Sequence, residues 1–510
     1  MSKTYIVAFV IAVFFVFGCS KKEKPALLQD FSMSQYIDSY FTDSIDIHLK
    51  IKHREILSGL YEKNQNKPFW FTDNQPNRQS EQLMDVLANS MNYGLDTTLY
   101  HLSTIRDFRQ GLSPDSLITN QNKQSMLAYE LGLTQSAISF FIHLNRGIMP
   151  FDPLSYITTA KIDSTSSYFK IYNYFDDFAP DSLINILQNA FQIDSLQPAV
   201  DRMQPQNAHY KRLQKALEGY VQNNPINQDS IQVVYYEQDT VWTSSFENYR
   251  KGCLALQKLR WSNISAKNYI FINIPAFTLD FVEKNTWALS HKIICGTPEN
   301  QTPELNSRLK QIRLFPEWNV PFTIATKEIL PIVKKNTNYL TKNHYEVLDR
   351  NGNLLHPDSV QWKKYTETNF PLRIRQTSGY HNSLGVILFY FDNSSAVYFH
   401  DTPAKRLFNQ SFRAFSHGCM RMQNPFSFAK TIMEFDGGDT SHSEYLILQN
   451  KLQAKERHFY NVKKSIPIYI RYLTAYCNEE NQICFAPDFY GRDAVLTVLF
   501  DKIVKELGDN

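Results

Sequence analysis

The chain has 510 residues, 43% hydrophobic and 14% aromatic, which is enough for two or three domains with sizeable cores. Its 53 basic and 50 acidic residues leave a net charge of +3, without a long basic run, and this argues against a nucleic-acid partner. The abundance of Phe and Tyr predicts packed aromatic clusters or a substrate groove.

The chain opens on a targeting pattern. Lys3 precedes an apolar run from Tyr5 to Phe17. That run is shorter than the roughly 20 residues a bilayer span needs, but it suits a signal segment. Val16-Phe17-Gly18-Cys19 resembles a lipobox, which makes Cys19 the expected lipid attachment point and mature N-terminus. An ordinary cleaved signal and a short uncleaved anchor are the alternatives, and all three export the protein to the cell envelope. Residues 1–18 are thus read as a lipoprotein-type signal and 19–30, charged and Pro-containing, as a tether.

From 31 to 225 the periodicity is helical. Leu83, Met84, Leu87 and Met91 share one face before a stop at Gly94, and Met126 to Asn145 repeats apolar residues at threes and fours until Gly147 and Pro150. Such stripes are core-facing, so this half reads as a scaffold without chemistry. His209, on a further helix from Ala208 to Leu217, reads as a surface or capped-core histidine. Residues 226–267 read as an Asn- and Gln-rich linker and a helix from Phe246 to Arg260.

Strand-like runs begin at Tyr269-Ile-Phe-Ile-Asn-Ile-Pro275 and continue through Phe277–Val282 and His291–Cys295. A long polar, partly helical segment at about 328–380 interrupts them, and His344, His356 and His381 within it receive no role. Gly385–Phe391 and Ala396–His400 form the next strand pair, turning at Asp392–Ser395. Period-two geometry puts Tyr398 on the face of His400, with Val397 and Phe399 opposite. Asn424-Pro425 then starts a short helix that ends at Gly437-Gly438. Residues 473–510 are a hairpin and a last helix, and Cys477 and Cys484 bracket the hairpin tip within reach of a disulfide in an oxidising compartment. Cys253 and Cys295 read as buried thiols.

The chemistry concentrates between Tyr398 and Arg421. A thiol with a pKa near ~8.5 is mostly protonated at neutral pH and needs a base or a cation beside it to act as a nucleophile. His400 can be that base if the loop from Asp401 to Phe415 folds back on Cys419. Gly418 clears space for backbone N–H groups to approach an oxyanion. His417 reads as structural or oxyanion-side, Ser416 as a loop-fixing hydroxyl, and Arg421 as a loop tether ahead of a substrate-carboxylate contact. Zinc held by His400, His417 and Cys419 is the rival reading; it lacks a fourth ligand, so no metal and no cofactor is expected. An inert buried thiol is the other.

His400, an intervening loop and Ser416-His417-Gly418-Cys419-Met420-Arg421, together with Val397–Pro403 and Arg413–Arg421, resemble the signature of the YkuD-type L,D-transpeptidases, and the YcbB-like branch in particular. Lys67-Pro-Phe-Trp70 and Tyr93-Gly-Leu-Asp96 resemble that branch's N-terminal scaffold, and Trp318-Asn319-Val-Pro321 a stretch near its cleft. The resemblance implies an α+β chain: an all-α scaffold, then a mostly β YkuD-like catalytic domain over 268–472 with a helical or loop capping insertion. It implies Cys419 as nucleophile, His400 as base, and the Asp401 backbone carbonyl as the group orienting His400. It further implies peptidoglycan tetrapeptide stems as donor and acceptor, joined 3→3 through a thioester, and susceptibility to carbapenems. Water as acceptor would make a carboxypeptidase, and a protein lysine a lipoprotein-attaching enzyme. The short stretch between the helices at 208 and 246 leaves no room for the branch's inserted peptidoglycan-binding module. An inactive wall-binding scaffold is the alternative from another class.

Overall fold

The computed structural model describes residues 26–27, 31–43, 47, 49, 51, 54–112, 117–118, 120–149, 185, 188–189, 195–227, 231–236, 239–438 and 441–508, of which 26–27, 117–118, 231–236 and 239–242 are described as backbone. The signal segment, Cys19 and most of the tether lie outside these residues. The chain divides into two units, 1–81 with 103–135 and 82–102 with 136–510.

In the first unit, helices Met33–Asp43 and Arg54–Lys63 precede a two-stranded ribbon, Phe71–Thr72 with Gln75–Pro76. Its buried centre is polar. The Glu130 carboxylate accepts hydrogen bonds from Tyr61 Oη at 2.7 Å, Phe69 N at 2.7 Å and Trp70 N at 3.1 Å. Three donors satisfy the anion, yet complete burial dominates and pushes its pKa up to about 7.

The second unit carries helices Ala208–Asn223 and Ser245–Trp261. The latter starts where it does because Ser244 and Glu247 form a reciprocal capping box. The stretch read as linker is partly a hairpin, Ile231–Tyr236 with Asp239–Ser244. Its β-branched and aromatic residues outweigh the amide-rich flanks. Arg260 fastens the helices by donating to Leu144 O at 3.1 Å, Tyr93 O at 2.7 Å and Tyr210 Oη at 2.9 Å. Lys258 ties them to the sheet through Tyr472 O at 2.7 Å and the buried carboxylate of Asp493, which opens the last helix, Arg492–Gly508.

The remainder is a mostly β domain, so the chain is α+β. Among the described residues eight strands close on themselves. Their order is Thr286–Gly296, Met420–Met422, Phe399–His400, Ile387–Phe391, Leu305–Leu314, His458–Arg471, Tyr269–Asn273 and Thr278–Glu283, the last returning to Thr286–Gly296. Ala414–Ser416 adds a ninth strand, parallel to Thr286–Gly296. Closure leaves no free edge along the barrel. Ile270, Ile272, Leu279, Phe281, Ile293, Phe389 and Phe399 fill the core, together with one face of helix Pro425–Gly437. Asn424 stands at the N-cap position of that helix, but its side chain makes no capping hydrogen bond.

The polar segment after Leu314 is not loop and helix alone. Trp318–Asn319, Arg373–Gln376, Tyr345–Leu348 and Leu354–Leu355 form a four-stranded antiparallel sheet. With short helical turns it encloses its own core of Ile329, Leu330, Val333, Leu340, Val347, Trp362, Phe370 and Ile374. The disulfide that the sequence allows between Cys477 and Cys484 is not formed, and both thiols are free. The hairpin register pairs Cys477 with Ile483 and Tyr476 with Cys484. That one-residue offset puts the two sulfurs on opposite faces.

Because burial keeps Glu130 protonated to a higher pH in the fold than in the unfolded chain, its contribution to stability is fully present below the ordinary carboxylate range and is lost as pH rises through about 7. The melting temperature of the first unit is therefore expected to fall between pH 5 and 8. Glu130→Gln should flatten that slope, as followed by circular dichroism.

Candidate active site

The site is built by one strand pairing. Phe399–His400 runs parallel to Met420–Met422, with Phe399 opposite Met420 and His400 opposite Arg421. Phe399, Met420 and Met422 are fully buried in the barrel core. By strand alternation His400, Arg421 and Cys419 all project from the other face. Cys419 thus lies two positions before the residue opposite His400, on the same face, and its Sγ is 4.0 Å from Ala396 O. The long loop between them does fold back. Met420 N donates to Tyr398 O at 2.9 Å, which brings the cysteine beside the strand that carries His400.

His400 Nδ1 lies 2.5 Å from Asp401 O. A carbonyl has no proton to give, so Nδ1–H is the donor and Nε2 keeps its lone pair. The Asp401 side chain serves elsewhere, accepting from Val386 N at 3.1 Å and from Lys405 Nζ. Gly385, with φ +63°, makes that approach possible, because a Cβ there would come within 2.4 Å of the Asp401 side chain.

The Cys419 loop is pinned by hydroxyls. Ser416 Oγ donates to Cys419 O and accepts from Gly418 N at 3.2 Å. Thr302 Oγ1 donates to Gly418 O at 2.8 Å and accepts from Gly296 N at 2.9 Å. Gly418 sits at φ +105°, a conformation that favours glycine. Since Ser416 occupies its N–H, Gly418 is not the open donor that an oxyanion needs.

Charge acts on the pair through Arg421. Burial first, and then the Arg421 guanidinium, push His400 down to about 4, against the opposing pull of the Asp401 and Leu384 backbone. Burial likewise raises the Cys419 thiol, while the Tyr398 backbone and Arg421 draw it back down. At neutral pH the resting pair is a thiol and a neutral imidazole. Arg421, read from sequence as a loop tether, acts instead as a cation on this face, and the tethering falls to Ser416 and Thr302. Tyr398 stacks on Tyr390 at 5.8 Å, and burial raises its hydroxyl.

His417 points to the insertion. Its Nε2 lies 2.8 Å from Glu328 Oε1, so the inserted subdomain touches the residue two before Cys419. Trp318 and Asn319 lie in the insertion's first strand, paired with Gln376 and Arg375, with Trp318 half-buried near Tyr345 and Asn319 exposed. Glu328 and Thr302 were not legible from sequence, because both reach the loop from far along the chain. The neutral resting pair predicts slow alkylation of Cys419 by iodoacetamide at pH 7, with a rate that climbs only above the ordinary thiol range near ~8.5. A rate already at its plateau at pH 7 would show a preformed thiolate.

Comparison with known proteins converges on the same region. Residues 55–217 match the profile of a scaffold domain, and residues 267–438 that of the L,D-transpeptidase catalytic domain, YkuD. A Haemophilus influenzae protein named "Putative L,D-transpeptidase" is 32% identical over 226 residues, 44% of this chain. The match spans 45% of that relative's length, less than half of it. An L,D-transpeptidase from Mycobacterium smegmatis aligns over 48% of this chain and 68% of its own, at 10% identity and a TM-score of 0.17, too low to bear on fold or function. The stretch carrying His400 and Cys419 thus lies inside an L,D-transpeptidase YkuD catalytic domain, which this chain contains.

Proposed function

We propose that the protein is a cysteine L,D-transpeptidase of the YcbB-like branch that forms 3→3 cross-links between peptidoglycan stems. The observation that carries this reading is Cys419 on the same sheet face as His400, whose Nδ1 is engaged by the Asp401 carbonyl. The Cys419 proton passes to His400 Nε2 as sulfur attacks the amide carbonyl that follows an L-configured centre of a tetrapeptide stem. The tetrahedral intermediate collapses with release of D-alanine, whose amine takes the proton back, and a thioester remains on Cys419. The side-chain amine of a second stem then attacks the thioester and regenerates the thiol.

Arg421 favours the anionic sulfur and disfavours imidazolium, so the proton shift is completed only with substrate in place. The Glu328–His417 contact supports the insertion as a cap over the cleft. Exclusion of water there favours an amine acceptor over hydrolysis. The scaffold match, and an insertion with its own core, support the large branch. Export with a lipid anchor at Cys19, facing the periplasm, belongs to the same proposal and rests on the sequence pattern alone.

Intact-mass measurement after incubation with a carbapenem should show one adduct that is missing from Cys419→Ala. An unmodified wild type would return the protein to the class of inactive scaffolds. His400→Ala should fold and acylate about 10²–10⁴-fold more slowly, the usual contribution of a positioned base. Muropeptide analysis with tetrapeptide-bearing sacculi should then yield 3→3 dimers, and trimmed tripeptides alone would assign a carboxypeptidase.

A further inference from the structure

A cleft of about 790 Å³ opens on the second unit away from Cys419, adjoining a deeper cavity of about 400 Å³. The two share Trp287, Ser290 and Glu479, and both volumes fall in the range of small-ligand sites. Arg421 sits opposite Ile294 on strand Thr286–Gly296, and Trp287 lies near the strand's other end. At roughly 3.3 Å per residue this puts the cleft more than ~20 Å from the catalytic ladder.

The walls carry two cations and several amides, and behind them lie buried nitrogens without partners. Arg212 lies over the Trp287 ring with its guanidinium carbon 3.5 Å from the centroid; it donates through Nη2 to Asn478 O at 2.7 Å and Glu479 O at 3.3 Å, and it also meets the Cys477 thiol. Its Nε is buried without a partner, as is Trp287 Nε1. In the deeper cavity His291 is only 7% exposed, and its Nε2 is unpartnered too. Such groups are rare in folded proteins and call for a reason. The buried carboxylate nearby does not answer them, because Asp280 already accepts from Ser290 Oγ at 2.6 Å and pairs with His209 Nε2 at 3.2 Å. Lys211 is exposed on the rim, so two cations face a single carboxylate, Glu479, in the outer cleft. Gln206, Asn285 and Asn481 supply amides.

Positive charge and amides around an indole suit an oxygen-rich anion. We propose that this cleft is a second ligand site that takes a carboxylate-bearing, N-acylated saccharide, with the carboxylate toward Arg212 and Lys211 and the acyl and hydroxyl groups among the amides. The site stands on the geometry; only the choice of an N-acylated sugar rests on the proposed action on peptidoglycan. It would give the enzyme a hold on saccharide whose carboxylate is free of a peptide stem, without a separate binding module.

Binding is read by calorimetry and tryptophan fluorescence on the full chain, with N-acetylmuramic acid as probe and neutral N-acetylglucosamine as control. N-acetylmuramic acid is expected to bind about tenfold more tightly than the control, the worth of one charge-assisted hydrogen bond. Lys211→Glu and Trp287→Phe should each weaken it by about the same factor, and Cys419→Ala should bind as wild type does. If Trp287→Phe does not fold, Lys211→Glu, whose side chain is exposed, carries the test. Equal affinity for the two sugars, no binding at millimolar concentration, or affinity unchanged in Lys211→Glu would each overturn the proposal. Because the readout is equilibrium binding, it stands whether or not Cys419 acylates.

Discussion

Everything at the centre depends on the parallel register between Phe399–His400 and Met420–Arg421. A slip of one residue would turn Cys419 into the core and Met420 out to the cleft. What prevents it is packing. Phe399, Met420 and Met422 are buried completely, and Phe399 stacks on Phe391 at 4.9 Å. Exposing two methionines and burying an arginine would be far costlier than any gain from another pairing. The hydrophobic core of the barrel therefore sets the chemical face of the site.

The electrostatics of that face keep the sulfur quiet. Burial lifts the thiol and depresses the imidazole, and Arg421 acts on both in the sense of favouring negative sulfur and neutral ring. Oxidation of cysteine proceeds through the thiolate, so a neutral resting thiol is also a protected one. Reactivity then depends on what enters the cleft and on what the inserted subdomain excludes from it.

Much of this was legible before any coordinates. The thiol, both imidazoles, the glycine and the arginine fall within 22 residues, so local spacing alone pointed to the chemistry and to the flanking strands. Helical periodicity likewise gave the Met126–Asn145 region, which is a helix from Asn120 to Arg146. What stayed hidden is non-local. Trp318–Asn319 pairs with Arg375–Gln376 far down the chain, so its small sheet read as polar loop. Glu328 meets His417 across a separation of 89 residues, and no motif links the two. The Cys477–Cys484 hairpin was correctly placed, but its register is set by the turn at Asn478–Gln482, and a spacing count cannot see that offset. The unpartnered donors around Trp287 are a property of assembled surfaces and leave no sequence trace.

The insertion leaves and rejoins the barrel through neighbouring strands, Trp318–Asn319 and Arg373–Gln376, and it has a core of its own. A module built this way hangs from a two-strand stem. It can tilt as one piece, and it can be exchanged or lengthened over generations while the barrel keeps its shape. Changes can then accumulate in the overhang alone while Cys419 and His400 keep their register beneath.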